Sequence, residues 1–395
     1  MKLFNISLSQ VKSPVIWLMY FVFLACILPI AFFACKRPAY NWDMLAYMAL
    51  AEKMEKSDIN DVHAVTYNSA KLNIPSDDYA KLIEGPLRQQ RMESPAEFNR
   101  VLPFYAVKPL YIWLSYFFHK SGFSLPLSTV LPSIVAYLLT GLLVFHWLNI
   151  HHKLIFSFGA GLVIMFSSVM IEVARLSTPD GLSALFLLAA FYFILERPSL
   201  LFAFLFLTAS VLSRLDNIIL SGLLLSYLFF CKKWAKKISL IRYLVMLGIL
   251  AAVYVMVSGL AKEYNWSSFY YPDFVKYYHP GHPSQPLFSI SGYMALFYER
   301  VIMAILYTHA SIFLLLVLIW LSMSYQGKFR DLPFELLFCL ILVFTIVIRF
   351  VLFPDLEDRF YVAYYLVILI MFMRQYKQVS SIVKTVSQTK GNENC

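Results

Sequence analysis

The run Phe104-Tyr105-Ala106-Val107-Lys108-Pro109-Leu110-Tyr111-Ile112-Trp113-Leu114-Ser115-Tyr116-Phe117-Phe118 decides how the chain is threaded. It is apolar and rich in tyrosine, but short, and Lys108-Pro109 interrupts it. A helix needs roughly 20 apolar residues to cross a hydrocarbon core. If this run crosses, everything before it changes sides.

The rest of the chain has the composition of a membrane protein. Its 395 residues are 60% hydrophobic and 14% charged, whereas soluble domains are about 25% charged. Apolar runs recur at 15–34, 126–148, 154–172, 180–196, 199–213, 215–231, 240–259, 293–322, 334–353 and 359–374. The reading is an all-α polytopic membrane protein with a single domain over 1–395. A first span at 15–34 precedes an outer loop at 35–124. Core spans follow at 126–231, then C-terminal spans at 240–374 that enclose a second outer loop at 260–292. The first span has no small-residue cleavage site and reads as retained.

The net charge of +10 does not point to nucleic acid. Basic residues sit at span ends, as in Lys232-Lys233-Trp234-Ala235-Lys236-Lys237, where the positive-inside tendency puts them and where membrane lipids are the partners they meet. Five scattered cysteines make no disulfide framework and no Cys/His metal spacing. No G-x-S-x-G, Walker or H-E-x-x-H motif occurs.

Counting spans back from Lys232–Lys237, with Lys328-Phe329-Arg330 and Arg374/Lys377 also inside, places the 119–125 turn outside. The run at 104–118 then begins and ends on the outer side, as an interfacial or re-entrant helix. That gives about ten spans with both termini inside. Residues 35–103 are broken by Pro75, Gly85-Pro86 and Pro95 into short juxtamembrane helices. A bacterial inner membrane, with the site facing the periplasm, is the working location.

The same count brings most of the unusual charge to the outer face: Asp43, Lys108, Asp180, Arg214/Asp216 and Glu357-Asp358-Arg359. Each has two readings. Asp43, in Asn41-Trp42-Asp43, is a general base or a helix cap. Lys108 is a phosphate contact or a snorkelling lysine. Asp180, in Thr178-Pro179-Asp180, is a second acid or a cap. Arg214 and Arg359 meet phosphate, or pair with Asp216 and with Glu357 or Asp358. Glu172 and Arg175 are one turn apart and can pair. Tyr270-Tyr271, Tyr277-Tyr278-His279 and His282 form an aromatic wall, or simply sit at the interface.

Together these residues resemble the GT-C superfamily of membrane glycosyltransferases, and most closely the aminoarabinose transferase and protein O-mannosyltransferase group. That group has an early loop acid, a Lys-Pro-Pro-Leu-Tyr-x-Trp-Leu segment and a Phe-Gly-x-Ser turn. Here stand Asp43, Lys108-Pro109-Leu110-Tyr111-Ile112-Trp113-Leu114 and Ser121-Gly122-Phe123-Ser124. Ser177-Thr178-Pro179-Asp180-Gly181-Leu182 and Glu357-Asp358-Arg359-Phe360-Tyr361 follow in the family's order. One proline of the Lys-Pro-Pro is missing, Val107 stands where many members carry a polar or acidic residue, and nothing in these 395 residues resembles the large soluble C-terminal domain of some members.

The resemblance implies a GT-C-like fold and inverting transfer of a sugar from a polyprenyl-phosphate donor to a lipid, glycan or protein acceptor at the outer face. It implies Asp43 as base or metal-proximal acid and Asp180 as the second catalytic acid. Lys108, Arg359, Arg214, Tyr111, Glu357 and His279 become donor or phosphate contacts. A divalent ion, Mg or Mn, is an optional cofactor, and Asp43 and Asp180 are its only evident ligands. The other classes considered are a transporter or flippase of lipid-linked sugars, an oligosaccharide ligase or polymerase, and a non-catalytic scaffold. A flippase needs charge along its spans, and Arg349 is the main buried candidate.

Overall fold

A computed structural model describes residues 14–231, 234, 238–261, 289–326 and 334–374. They form α-helices and no β-strand, apart from one isolated bridge between Ala39 and Leu176. Helix α1 is Pro14–Lys36. Six helices then fill the long loop: α2 Trp42–Glu52, α3 Ile59–Asn73, α4 Ser76–Ile83, α5 Pro86–Glu93, α6 Pro95–Ala106 and α7 Pro109–Lys120. The bundle continues with α8 Leu125–His151, α9 Leu154–Met165, α10 Ser168–Arg175, α11 Asp180–Leu195, α12 Leu200–Ser213, α13 Asn217–Phe230 and α14 Leu240–Ser258. It closes with α15 Ile290–Tyr307, α16 Ala310–Gln326, α17 Phe334–Leu352 and α18 Val362–Arg374.

Among the described residues, 5 helices are long and apolar enough to cross a membrane, or up to 7 if each of two bent pairs counts as one span. Helices α11, α12, α13, α16 and α18 are shorter but apolar. Large apolar side chains face outward along α1, α14 and α15; Phe21 is 70% exposed and Val255 67%. A water-soluble surface does not carry apolar area on this scale, and lipid covers it instead. The protein is an all-α membrane protein.

Helix α8 runs through the centre of the bundle, packed by α1, α7, α9, α10 and α11. In lipid, helix association relies on close packing and polar contacts. Gly161 shows the closeness: a Cβ there would lie 2.9 Å from the Phe23 ring of α1. Phe23 in turn stacks on Phe145 of α8 at 4.7 Å.

The 104–118 run is not one helix. α6 and α7 meet at 115°, and the break falls at Val107-Lys108. Pro109 has no N–H to donate and excludes helical geometry from the residue before it, and Lys108 sits at φ −128°, ψ 55°. Ser94 caps α6 by accepting from the Glu97 N–H, which turns the chain into the first arm of the bend.

The 293–322 run also breaks, at Thr308-His309, which corrects its reading as one span. The Thr308 hydroxyl donates to the Ala304 carbonyl at 2.6 Å, and Asp358 accepts from the His309 N–H at 2.9 Å. At the other end of α15, the Tyr293 hydroxyl bonds the Val351 carbonyl. One end of α15 therefore meets the last turn of α17, and the other meets the segment that joins α17 to α18.

Candidate functional site

The bundle has two charged poles, and an acid stands at each end of α11: Asp180, buried, at its start, and Glu196, its side chain 8% exposed, just past its end. The Asp180 end, beside α2 and the α6–α7 bend, is the loop pole.

At the loop pole Asp180 is 2% exposed and accepts from Arg214 of the α12–α13 turn. Arg214 also grips Asp216 with two bonds, Nε to Oδ1 at 3.2 Å and Nη2 to Oδ2 at 3.1 Å. Asp216 is shared with Arg349, near the end of α17. Arg359 pairs with Glu357 and lies 3.6 Å from the second oxygen of Asp180. The Phe360 ring lies under both guanidinium groups, 4.1 Å from Arg214 and 5.1 Å from Arg359. Buried charges must be compensated in this way, because desolvation is expensive.

Lys108 is held differently. Its ammonium lies over three rings, 5.1 Å from the centroid of Tyr105 and 5.6 Å from those of Tyr47 and Phe104. No described carboxylate is in ion-pair contact with it, although it is within electrostatic reach of Asp43, Asp180 and Asp216. Burial pushes the Lys108 ammonium below the ordinary lysine pKa, and Asp43 is the largest influence in the other direction. The bend at Pro109 is what carries this side chain into the pole.

Asp43 is the second residue of α2. Asn41 holds the cap position, and the Asp43 carboxylate instead accepts from the Tyr105 hydroxyl at 3.1 Å. Tyr105 thus touches both members of the pair, hydroxyl on Asp43 and ring under Lys108. Sequence reading overlooks Tyr105 and Tyr47; the signals for them were a tyrosine three residues before Lys108 on the first arm of the bend and a tyrosine one turn after Asp43 on α2.

The remaining candidates fall as follows. Tyr111 is in the interior, with its hydroxyl donated to the Thr129 carbonyl and its ring packed on Tyr47 at 4.8 Å, so it supports Lys108 from behind and faces no substrate. Glu357 is exposed and paired with Arg359. Arg214 and Arg359 are each committed to carboxylates. Arg175 bonds the Arg37 carbonyl at 2.8 Å, across to α1. His279, with the rest of 262–288, lies outside the described residues.

A divalent ion does not fit these acids. Both oxygens of Asp180 face arginines, so a cation there would displace or repel two guanidinium groups. Asp43 would be left as a lone carboxylate ligand. Asp180 is better placed as the anchor of two arginines than as an acid open to substrate.

At the opposite pole Glu196 accepts from His151 at 2.7 Å and Arg374 at 3.0 Å, and Glu335 lies 3.9 Å from Arg374. No family model, curated protein or solved structure matches the chain.

Proposed function

We propose that the chain is a GT-C-type membrane glycosyltransferase that uses a polyprenyl-phosphate sugar. In this reading ten spans are formed by α1, α8, the bent pair α9–α10, α11, α12, α13, α14, α16, α17 and α18. The helices of the long loop and α15 lie along the outer, periplasmic face of a bacterial inner membrane.

One observation carries the proposal: Lys108 has no described carboxylate in ion-pair contact and is joined to Asp43 through Tyr105. A half-buried ammonium over aromatic rings is prepared for an anion that arrives with the substrate. In the reaction, Asp43 accepts the proton of the acceptor hydroxyl as its oxygen bonds to the anomeric carbon from the far side. The bond from that carbon to the donor's phosphate oxygen breaks, and its electron pair leaves on the phosphate. Lys108 stabilises that charge, and the configuration inverts. The paired arginines hold the walls.

A flippase is less well supported. α11, α12 and α13 carry no charged residue between their ends, and Arg349 is bound to Asp216 near the end of its helix.

The test is sugar transfer by purified chain in nanodiscs, across a panel of polyprenyl-phosphate sugars and acceptors, beside Asp43→Asn and Lys108→Ala. Product from the wild type that disappears in Asp43→Asn supports the proposal. Donor binding without turnover in any acceptor mixture rejects it.

A further inference from the structure

The cations of the loop pole and of α5 divide into two kinds. Arg214, Arg349 and Arg359 are each matched by a carboxylate. Lys108 is not, and neither are Arg88 and Arg91 on α5: no described carboxylate is in ion-pair contact with either. These two lie one turn apart with their guanidinium groups over the Trp42 ring, 5.9 Å and 5.3 Å from its centroid. Arg88 also donates to the Lys81 carbonyl at 3.0 Å, which fixes its direction.

Trp42 immediately precedes Asp43 and is 9% exposed, with Phe98 edge-on beneath it at 6.4 Å. Its indole N–H is buried without a hydrogen-bond partner, and so is the side-chain oxygen of Asn41. An orphaned indole does not by itself mark a site, since the buried Trp320 N–H also lacks a partner; here two such atoms stand on consecutive residues next to a candidate base, and two guanidinium groups lie over the same indole ring. An indole N–H suits an anion and an amide oxygen suits a hydroxyl. Guanidinium groups steadied on an aromatic face retain their in-plane donors for phosphate or carboxylate oxygens.

We infer that Arg88, Arg91 and Trp42 form an anion subsite for the acceptor, which bears a phosphate or carboxylate near its reacting hydroxyl. The inference rests on the glycosyltransferase reading and specifies its acceptor class. Lys108 would serve the donor phosphate on one flank of Asp43, while the arginine pair serves the acceptor anion on the other. Two anionic substrates then meet at one base without sharing a cation, which reduces their mutual repulsion in the encounter.

The experiment uses the full chain in nanodiscs of phosphatidylcholine, with glucosamine 6-phosphate and unphosphorylated glucosamine as binding probes. The variants are Arg88→Gln/Arg91→Gln, the milder Arg88→Lys/Arg91→Lys, and Lys108→Gln. Near-ultraviolet circular dichroism confirms the fold of each. Phosphate-dependent binding that weakens about tenfold in the glutamine pair, partly recovers in the lysine pair and persists in Lys108→Gln supports the subsite.

Binding lost in Lys108→Gln and kept in the arginine variants overturns the subsite while leaving the donor reading intact. Indifference of the wild type to the phosphate also overturns it. In a second arm, phosphatidylglycerol is added to the discs. Its retention through the arginine pair, with no phosphate-dependent sugar binding, assigns the pair to a lipid headgroup and overturns the acceptor role. If the phosphosugar binds at the arginines but no donor is ever turned over, the transferase reading fails and the acceptor role fails with it, leaving an anion site.

Discussion

The two ends of α11 are built alike and differ in one respect. At each, a carboxylate with a largely buried side chain collects basic side chains distant in sequence: Arg214 and Arg359 around Asp180, His151 and Arg374 around Glu196. An ion-pair network around a buried acid is therefore no evidence of chemistry in this protein, since both poles have one. The loop pole adds an acid and a base not matched in that way: Asp43, bonded to a tyrosine, and Lys108, cushioned on three rings. In the proposed function this contrast separates groups that hold helices together from groups left to meet a ligand.

The largest expected effect is at Asp43. Asp43→Asn should lower the transfer rate about a thousandfold, within the usual range for a positioned general base. The Tyr105 hydroxyl can still donate to the amide oxygen, so thermal unfolding should be nearly unchanged. A large loss of stability instead would place Asp43 among the structural acids and remove the distinction between the poles.

Lys108→Ala should follow, with a loss of about a hundredfold in kcat/KM for the donor. The lowered lysine pKa gives a second readout whose two signs differ. The folded protein holds this proton less tightly than the unfolded chain, whose lysine pKa is about 10.4. As pH rises through that window, the unfolded state binds more protons, so stability increases. Over the same window the ammonium is lost and donor affinity falls. Activity should decline on the alkaline side before an ordinary lysine would titrate, and Lys108→Arg should remove that limb because guanidinium stays charged.

Much of this contrast was legible in the chain. Positive residues at span ends give a count of sides, and the count brings Asp43, Lys108, Asp180, Arg214 and Arg359 together across more than three hundred residues. Pro109 after a lysine marks a break, and the chain bends there. What could not be read was which cations are compensated. The pairing of Arg349 with Asp216 depends on how α17 meets the α12–α13 turn, and sequence spacing carries no information about that contact. The same holds for Tyr105 between Asp43 and Lys108, and for Arg88 and Arg91 over Trp42. Apolar length was misleading at 293–322, where Asp358 reaches back to cap a new helix at His309.

Asp180→Asn tests the arginine walls. It leaves Arg214 and Arg359 facing a neutral amide inside the pole, and removing one partner of a buried pair costs about 3 kcal/mol or more. Unfolding should occur at lower temperature, and transfer per folded molecule should drop about tenfold as the two guanidinium groups shift. Asp216 retains Arg214 and Arg349, which keeps the residual activity measurable.

The smallest effect on activity should come from Glu196→Gln, and it is the control on which the comparison depends. Here too a buried acid loses its charge, with His151 and Arg374 left against an amide. The stability loss should be smaller than at Asp180, because Glu196 bonds one arginine whereas Asp180 faces two. The damage lies at the far end of a 16-residue helix, roughly 24 Å from Asp180. If ion-pair networks in this protein only hold helices in place, transfer per folded molecule should equal that of the wild type while unfolding occurs earlier. A parallel loss of activity would mean that the bundle passes strain along α11, and the two poles would then be one mechanism.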